Sequence, residues 1–151
     1  MRKIASFTVN HDKISEGIYI SRIDGDIVTY DMRMRKPNCG DYIDNLTIHS
    51  LEHMFATYVR NSEIGENVIY FGPMGCQTGF YLLVRDIDKY KVLEIVKDVL
   101  TKIIAHNGEI FGNTREECGN YRNLNLSAAQ LECERYLNAL NSKEVTFEYE
   151  E

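Results

Sequence analysis

The residues predict an α+β fold: an antiparallel sheet of about four or five strands packed against three or four helices, in a single domain spanning 1–151. Two observations carry this. Residues 18–23 (IYISRI) and 26–34 (DIVTYDMRM) are strand-like and are separated by Asp24-Gly25, a hairpin signal. Three later segments carry helix signals, apolar residues at helical spacing in two and a capping box in the third, interleaved with two more strand-like runs and without repeat or low-complexity sequence.

In the second strand Val28, Tyr30, Met32 and Met34 share one face, and Thr29, Asp31 and Arg33 share the other. Arg33 is therefore expected to point to solvent or into a polar site. KPNCGDY is a loop by its Pro, Asn and Gly. A helix is predicted from about 45 to 60, where Leu51, Met54, Phe55 and Tyr58 form the stripe of a buried face. VIYF (68–71) and TGFYLLVR (78–85) are the further strands, joined by the turn-rich GPMGCQ.

A second helix is expected over 88–105, with Leu93, Val96, Leu100 and Ile103 on one side and Gly108 following as a stop. The Asn- and Gly-rich stretch 106–126 is long for a structureless connector, and such loops are often functional. Ser127 and Gln130 match a capping box for a last helix over 128–140.

A formal charge of -6 and the lack of any Lys/Arg run argue against a nucleic-acid partner. The strongest basic stretch, Arg33 to Lys36, is flanked by Asp31 and Asp41 and suits a strand end or a small ligand. MRKIASFTVN lacks the apolar core of a signal peptide, and no apolar run approaches the ~20 residues of a transmembrane helix. The four cysteines have no C-x-x-C spacing. Without an export signal they are expected to be free thiols, metal ligands or nucleophiles in a cytoplasmic protein.

HSLEH, residues 49–53, is an H-x-x-E-H arrangement. His49 and His53 are four apart, so their side chains stack on one helical face about 5–6 Å apart at Cβ. Two imidazoles can then meet one metal ion. Glu52 lies beside that face and suits an adjacent base. A third ligand is needed, and many carboxylates are available. Cys118 in EECGNY is the attractive thiol, because its neighbours Glu116, Glu117 and Asn120 are not those of a packing cysteine. Cys133, on a helix, fits packing. Two histidines and one thiolate would leave an open coordination position, as catalytic sites do. Cys76 in FGPMGCQTGF sits where Pro73 and two glycines could present sulfur at a loop tip, although a small residue packed at a turn fits too. A nearby cation would favour its thiolate.

SFTVNH, DMRMRKPN, IHSLEHMFA, GPMGCQTGFY and ECGNY, in that order over about residues 5–140, resemble the S-ribosylhomocysteine lyase (LuxS) family. The resemblance implies His49, His53 and Cys118 as metal ligands, Glu52 and Cys76 as general acid/base residues, and Ser6, His11 and Arg33 as substrate contacts. It implies an α+β homodimer with active sites at the interface, the N-terminal segment completing the partner's site. It also implies one Fe²⁺ per subunit, replaceable by Zn²⁺ or Co²⁺, and S-ribosylhomocysteine as the small-molecule substrate. Three positions depart from the family pattern: Tyr70 stands at a usual acidic position, Gly72 at a usual serine and Asn10 at a common aspartate.

The implied reaction breaks a thioether without redox change. The sugar carbonyl must migrate from carbon 1 to carbon 3 by two enolisations, and loss of the carbon-4 proton then expels homocysteine. A cation with an open position supplies Lewis acidity, and Cys76 and Glu52 would carry protons. Arg33 could hold substrate oxygens or the homocysteine carboxylate as a bidentate fork. Two rivals remain from the residues alone: an H-x-x-E-H metallopeptidase, in which Glu52 activates water and Glu116 or Glu117 completes the metal, and a non-enzymatic metal-binding module.

Overall fold

A computed structural model describes residues 1–151. Its sheet has four strands: β1 (Gly17–Asp24), β2 (Ile27–Arg33), β3 (Val68–Pro73) and β4 (Gly79–Arg85). The order is β1-β2-β4-β3, with every neighbour antiparallel. Three helices follow the predicted segments: α1 (Asn45–Arg60), α2 (Lys89–Ile104) and α3 (Leu126–Asn141). None is long and apolar enough to cross a membrane.

Strand alternation decides which face receives the helices. Tyr30 pairs with Leu82 and Met32 with Phe80, and all four are buried with Leu51, Met54 and Phe55 of α1 in one apolar cluster. Phe55 stacks on Phe71 of β3, and Phe71 on Phe80. On α2 the buried face is Val92, Ile95, Val96, Val99, Leu100 and Ile103, so the expected stripe is broader and Leu93 lies at its edge.

The opposite, polar face of the sheet is also covered. Asp31 and Arg33 are only 1% and 2% exposed. The N-terminal residues, including two 3-10 turns at Ala5–Phe7 and His11–Lys13, lie near this side, with Ser6 beside Thr29, Tyr81 and Leu83. The chain after α3 returns to the free edge of β1, where Ile20 N–H donates to the Phe147 carbonyl at 2.8 Å. Phe147 is buried against Tyr30, while Tyr149 stacks on Tyr19 across the edge.

One helix start differs from expectation. α3 is capped by Asn125, whose side chain accepts from Ala128 N–H at 3.0 Å, and Ser127 is already inside the helix. Gln130 does not close a capping box. Its Nε2 donates to the carbonyls of Ile103, Ile104 and His106, at and just past the C-terminal end of α2. The other caps are Asp44, which accepts from Thr47 N–H, and Asp88, which accepts from Tyr90 and Lys91 N–H.

Candidate functional site

The helix α1 presents His49 and His53 toward the 106–126 loop, and that loop supplies what orients them. His49 Nδ1 is 2.8 Å from the Asn123 carbonyl, and His53 Nδ1 is 2.8 Å from the Phe111 carbonyl. A carbonyl only accepts, so Nδ1 carries the proton on each ring and the Nε2 lone pairs are left for a Lewis acid. This is the usual arrangement behind metal-bound imidazoles. Gly112 has φ +68°, and a Cβ there would press on His53 Nδ1, so a glycine is what lets the Phe111 carbonyl reach the ring.

Cys118 comes from the same loop. Its Sγ lies 3.4 Å from His49 Nε2, and Asn120 N–H donates to the sulfur at 3.4 Å. The three ligand atoms lie within 4.8 Å of one another. Bond lengths of about 2.0–2.1 Å to nitrogen and 2.3 Å to sulfur put tetrahedral N···S edges near 3.5 Å, so the set has the right spacing for one ion. Two imidazoles and a thiolate fit Fe²⁺, Zn²⁺ or Co²⁺. Glu52, half-buried, stands between the histidines on α1. Glu116 and Glu117 are exposed, and Glu117 accepts from the Thr114 hydroxyl instead of joining the cluster.

A second group of expected residues meets elsewhere. Ser6, His11, Arg33 and Cys76 line one cavity of about 320 Å³ with Phe7, Met74 and Tyr81. Neither His49, His53 nor Cys118 lines it. Cys76 is exposed at the β3–β4 turn, as its Pro-Gly context suggested. Its nearest polar partners are Thr78 Oγ1 at 3.0 Å and Arg33 Nη1 at 3.9 Å. Within one chain the cation beside this sulfur is therefore a guanidinium.

Arg33 enters a polar site, not solvent. Its Nε and Nη2 hold Asp31 at 3.1 and 2.7 Å, and Nη1 donates to Thr78 Oγ1 at 2.7 Å. The bidentate fork expected to grip substrate is thus closed on Asp31, and Nη1 is what reaches toward Cys76. Burial by itself would lower the Arg33 pKa, but hydrogen bonding to Asp31 and its charge more than offset this, and the group stays a cation. On Tyr81, burial and the Asp31 charge raise the phenol pKa. Arg35, next along, is held by Glu132 of α3 and by Asp41, so the basic stretch is largely neutralised internally. Cys133 is buried, and burial pushes its thiol far up, which suits packing.

The sequence pattern missed Asp31, Thr78 and Tyr149. Asp31 and Arg33, two apart on one strand face, offered a signal for the first. Thr78 and Tyr149 offered none, because their roles come from a turn and a tail docking onto the sheet.

A family model described as S-Ribosylhomocysteinase (LuxS) matches residues 4–147. The chain is 41% identical over 156 residues to an S-ribosylhomocysteine lyase of Borreliella burgdorferi, which covers 99% of both chains. It is 42% identical over 147 residues to an S-ribosylhomocysteine lyase of Finegoldia magna, covering 94% of both. With that of Clostridium acetobutylicum it shares 42% over 135 residues, 85% of both.

Proposed function

The chain belongs to the S-ribosylhomocysteinase (LuxS) family, and from that membership we propose that it is a metal-dependent carbon–sulfur lyase. It cleaves the thioether of S-ribosylhomocysteine to homocysteine and 4,5-dihydroxy-2,3-pentanedione, the autoinducer-2 precursor. The observation that carries the site is the convergence of His49, His53 and Cys118, with both Nδ1 atoms tied to carbonyls.

These three residues would hold one Fe²⁺ per subunit, with Zn²⁺ or Co²⁺ able to take its place. When bound, the ion supplies Lewis acidity where negative charge develops on the sugar oxygens. The chain's own residues do the rest. Cys76 moves protons between carbons 1 and 2, with the Arg33 Nη1 cation 3.9 Å from its sulfur. Glu52, on α1 between the two histidines, serves the later proton transfers, including loss of the carbon-4 proton. Ser6 and His11, in the Cys76 cavity, contact substrate oxygens, and Arg33 contributes its charge there.

The active unit is a homodimer with sites at the interface, in which the N-terminal segment completes the partner's site. That the Cys76 cavity and the ligand cluster share no lining residue within one chain favours this assembly. The partner is a small molecule and not nucleic acid, consistent with the charge of -6. Free thiols at Cys76 and Cys118 suit a reducing, cytoplasmic setting.

The test is Cys76→Ala and Glu52→Gln on metal-loaded protein. Both should retain the ion and release little thiol from S-ribosylhomocysteine, and wild-type release from either removes its role. The metallopeptidase alternative needs a carboxylate third ligand. Cys118→Ala with metal content and activity intact would revive it.

A further inference from the structure

A tyrosine near the C-terminus touches the machinery of the Cys76 cavity without lining it. The Tyr149 hydroxyl donates to Asp31 Oδ2 at 2.7 Å, and its ring stacks on Tyr19 with centroids 4.9 Å apart. Asp31 holds Arg33 by two bonds, and Arg33 Nη1 faces Thr78 and Cys76. Tyr149 lies beyond the matched stretch 4–147. We propose that Tyr149 is a positioning residue that, through Asp31, holds the Arg33 guanidinium beside Cys76 and sets how much of its charge reaches the sulfur. This rests on the proton-carrying role given to Cys76.

The physical reason is the sharing of one buried carboxylate. Asp31, 1% exposed, accepts from Arg33 and from Tyr149. The phenol O–H takes up part of the carboxylate's negative charge, and in a poorly screened interior that share matters. Without it Asp31 offsets more of the guanidinium's positive potential at Cys76, and the thiolate is disfavoured. Tyr149 remains a donor across the working range, because burial and the Asp31 charge raise its phenol well above the ordinary value.

The other titratable groups facing the cavity are His11 from the N-terminal turns and Tyr81 from β4, and of the two Tyr81 also feels the Asp31 charge. The tail is anchored independently: Phe147 is buried and its carbonyl accepts from Ile20 N–H. Tyr149→Phe therefore removes one hydroxyl and leaves the docking in place.

The experiment is alkylation of Cys76 by iodoacetamide across pH, with no substrate present, on wild type, Tyr149→Phe and Tyr149→Leu. The rate is read on the Cys76 peptide by mass spectrometry, because Cys39 and Cys118 are also accessible to some degree. Tyr149→Phe should move the rate profile to higher pH and slow alkylation about threefold on its rising limb, the size of half a pKa unit. It should also lower kcat for thiol release with KM within twofold. Tyr149→Leu, which loses the ring stack too, should slow alkylation at least as much. A wild-type profile for Tyr149→Phe overturns the proposal whatever Tyr149→Leu does, because the tyrosine would then serve packing only. A protein that shows the shift and yet releases no thiol from S-ribosylhomocysteine refutes the proposed reaction and leaves the Tyr149 role intact.

Discussion

The phenol end of Tyr70 stands in the space that a Cβ on Gly72 would need. Two departures from the family pattern, the tyrosine at an acidic position and the glycine at a serine position, are thus one packing unit. Tyr70 is 53% exposed, so an added side chain at 72 would swing the ring outward at little strain. Gly72→Ser should cost less than about 1 kcal/mol in urea unfolding, and pairing it with Tyr70→Asp should recover that loss. Additive costs in the double variant would show that the two positions are independent. At Gly79 the obstacle is the Met32 backbone carbonyl, which cannot swing away, and Gly79→Ala should cost about 2 kcal/mol or more.

The tie between Phe111 and His53 predicts metal affinity. Gly112→Ala would push a methyl against His53 Nδ1 and turn the ring away from His49 and Cys118. Metal affinity should fall roughly 10–100-fold, the range for losing a partner behind a ligating imidazole. Competition with a chelator, followed by metal analysis, measures it. Unchanged affinity would mean that the Phe111 carbonyl does not orient the ligand.

Arg33 and Cys76 should separate in stability. Arg33→Met leaves Asp31 buried without its cation, which costs about 3–5 kcal/mol. Cys76→Ala, at an exposed position, should stay within about 0.5 kcal/mol. Denaturant midpoints of the two variants test this, and a mild effect of Arg33→Met would show that the Asp31 pair is dispensable.

Asp44 makes a pH prediction. Its hydrogen bonds to Thr47, from the side chain first and the backbone next, lower its carboxyl below the ordinary 3.8. A lowered folded value contributes stability that is present above the unfolded value and lost as pH falls through the folded one. Asp44→Asn keeps a cap but cannot titrate. The stability gap between wild type and Asp44→Asn should therefore shift against wild type below about pH 4, measured by thermal melting. A constant gap from pH 6 to 3 would contradict it.

Much of this was legible in the chain because the relevant physics is local. Helical spacing aligned His49 and His53 on α1, and strand alternation put Tyr30 and Met32 on the helix side. Cys118 stood out by its polar neighbours. The capping box at Ser127 and Gln130 misled, because the same residue types also satisfy a distant helix end, and Gln130 closes α2. The burial of Asp31 and Arg33 depends on a face covered from both termini. Nothing in a strand's own alternation announces that a tail will fold back over it.

The decisive measurement is free-thiol release from S-ribosylhomocysteine by protein purified anaerobically, with its metal content determined. The proposed function predicts one ion per subunit and thiol release that disappears with Cys118→Ala. No release from the fully metal-loaded protein would contradict it.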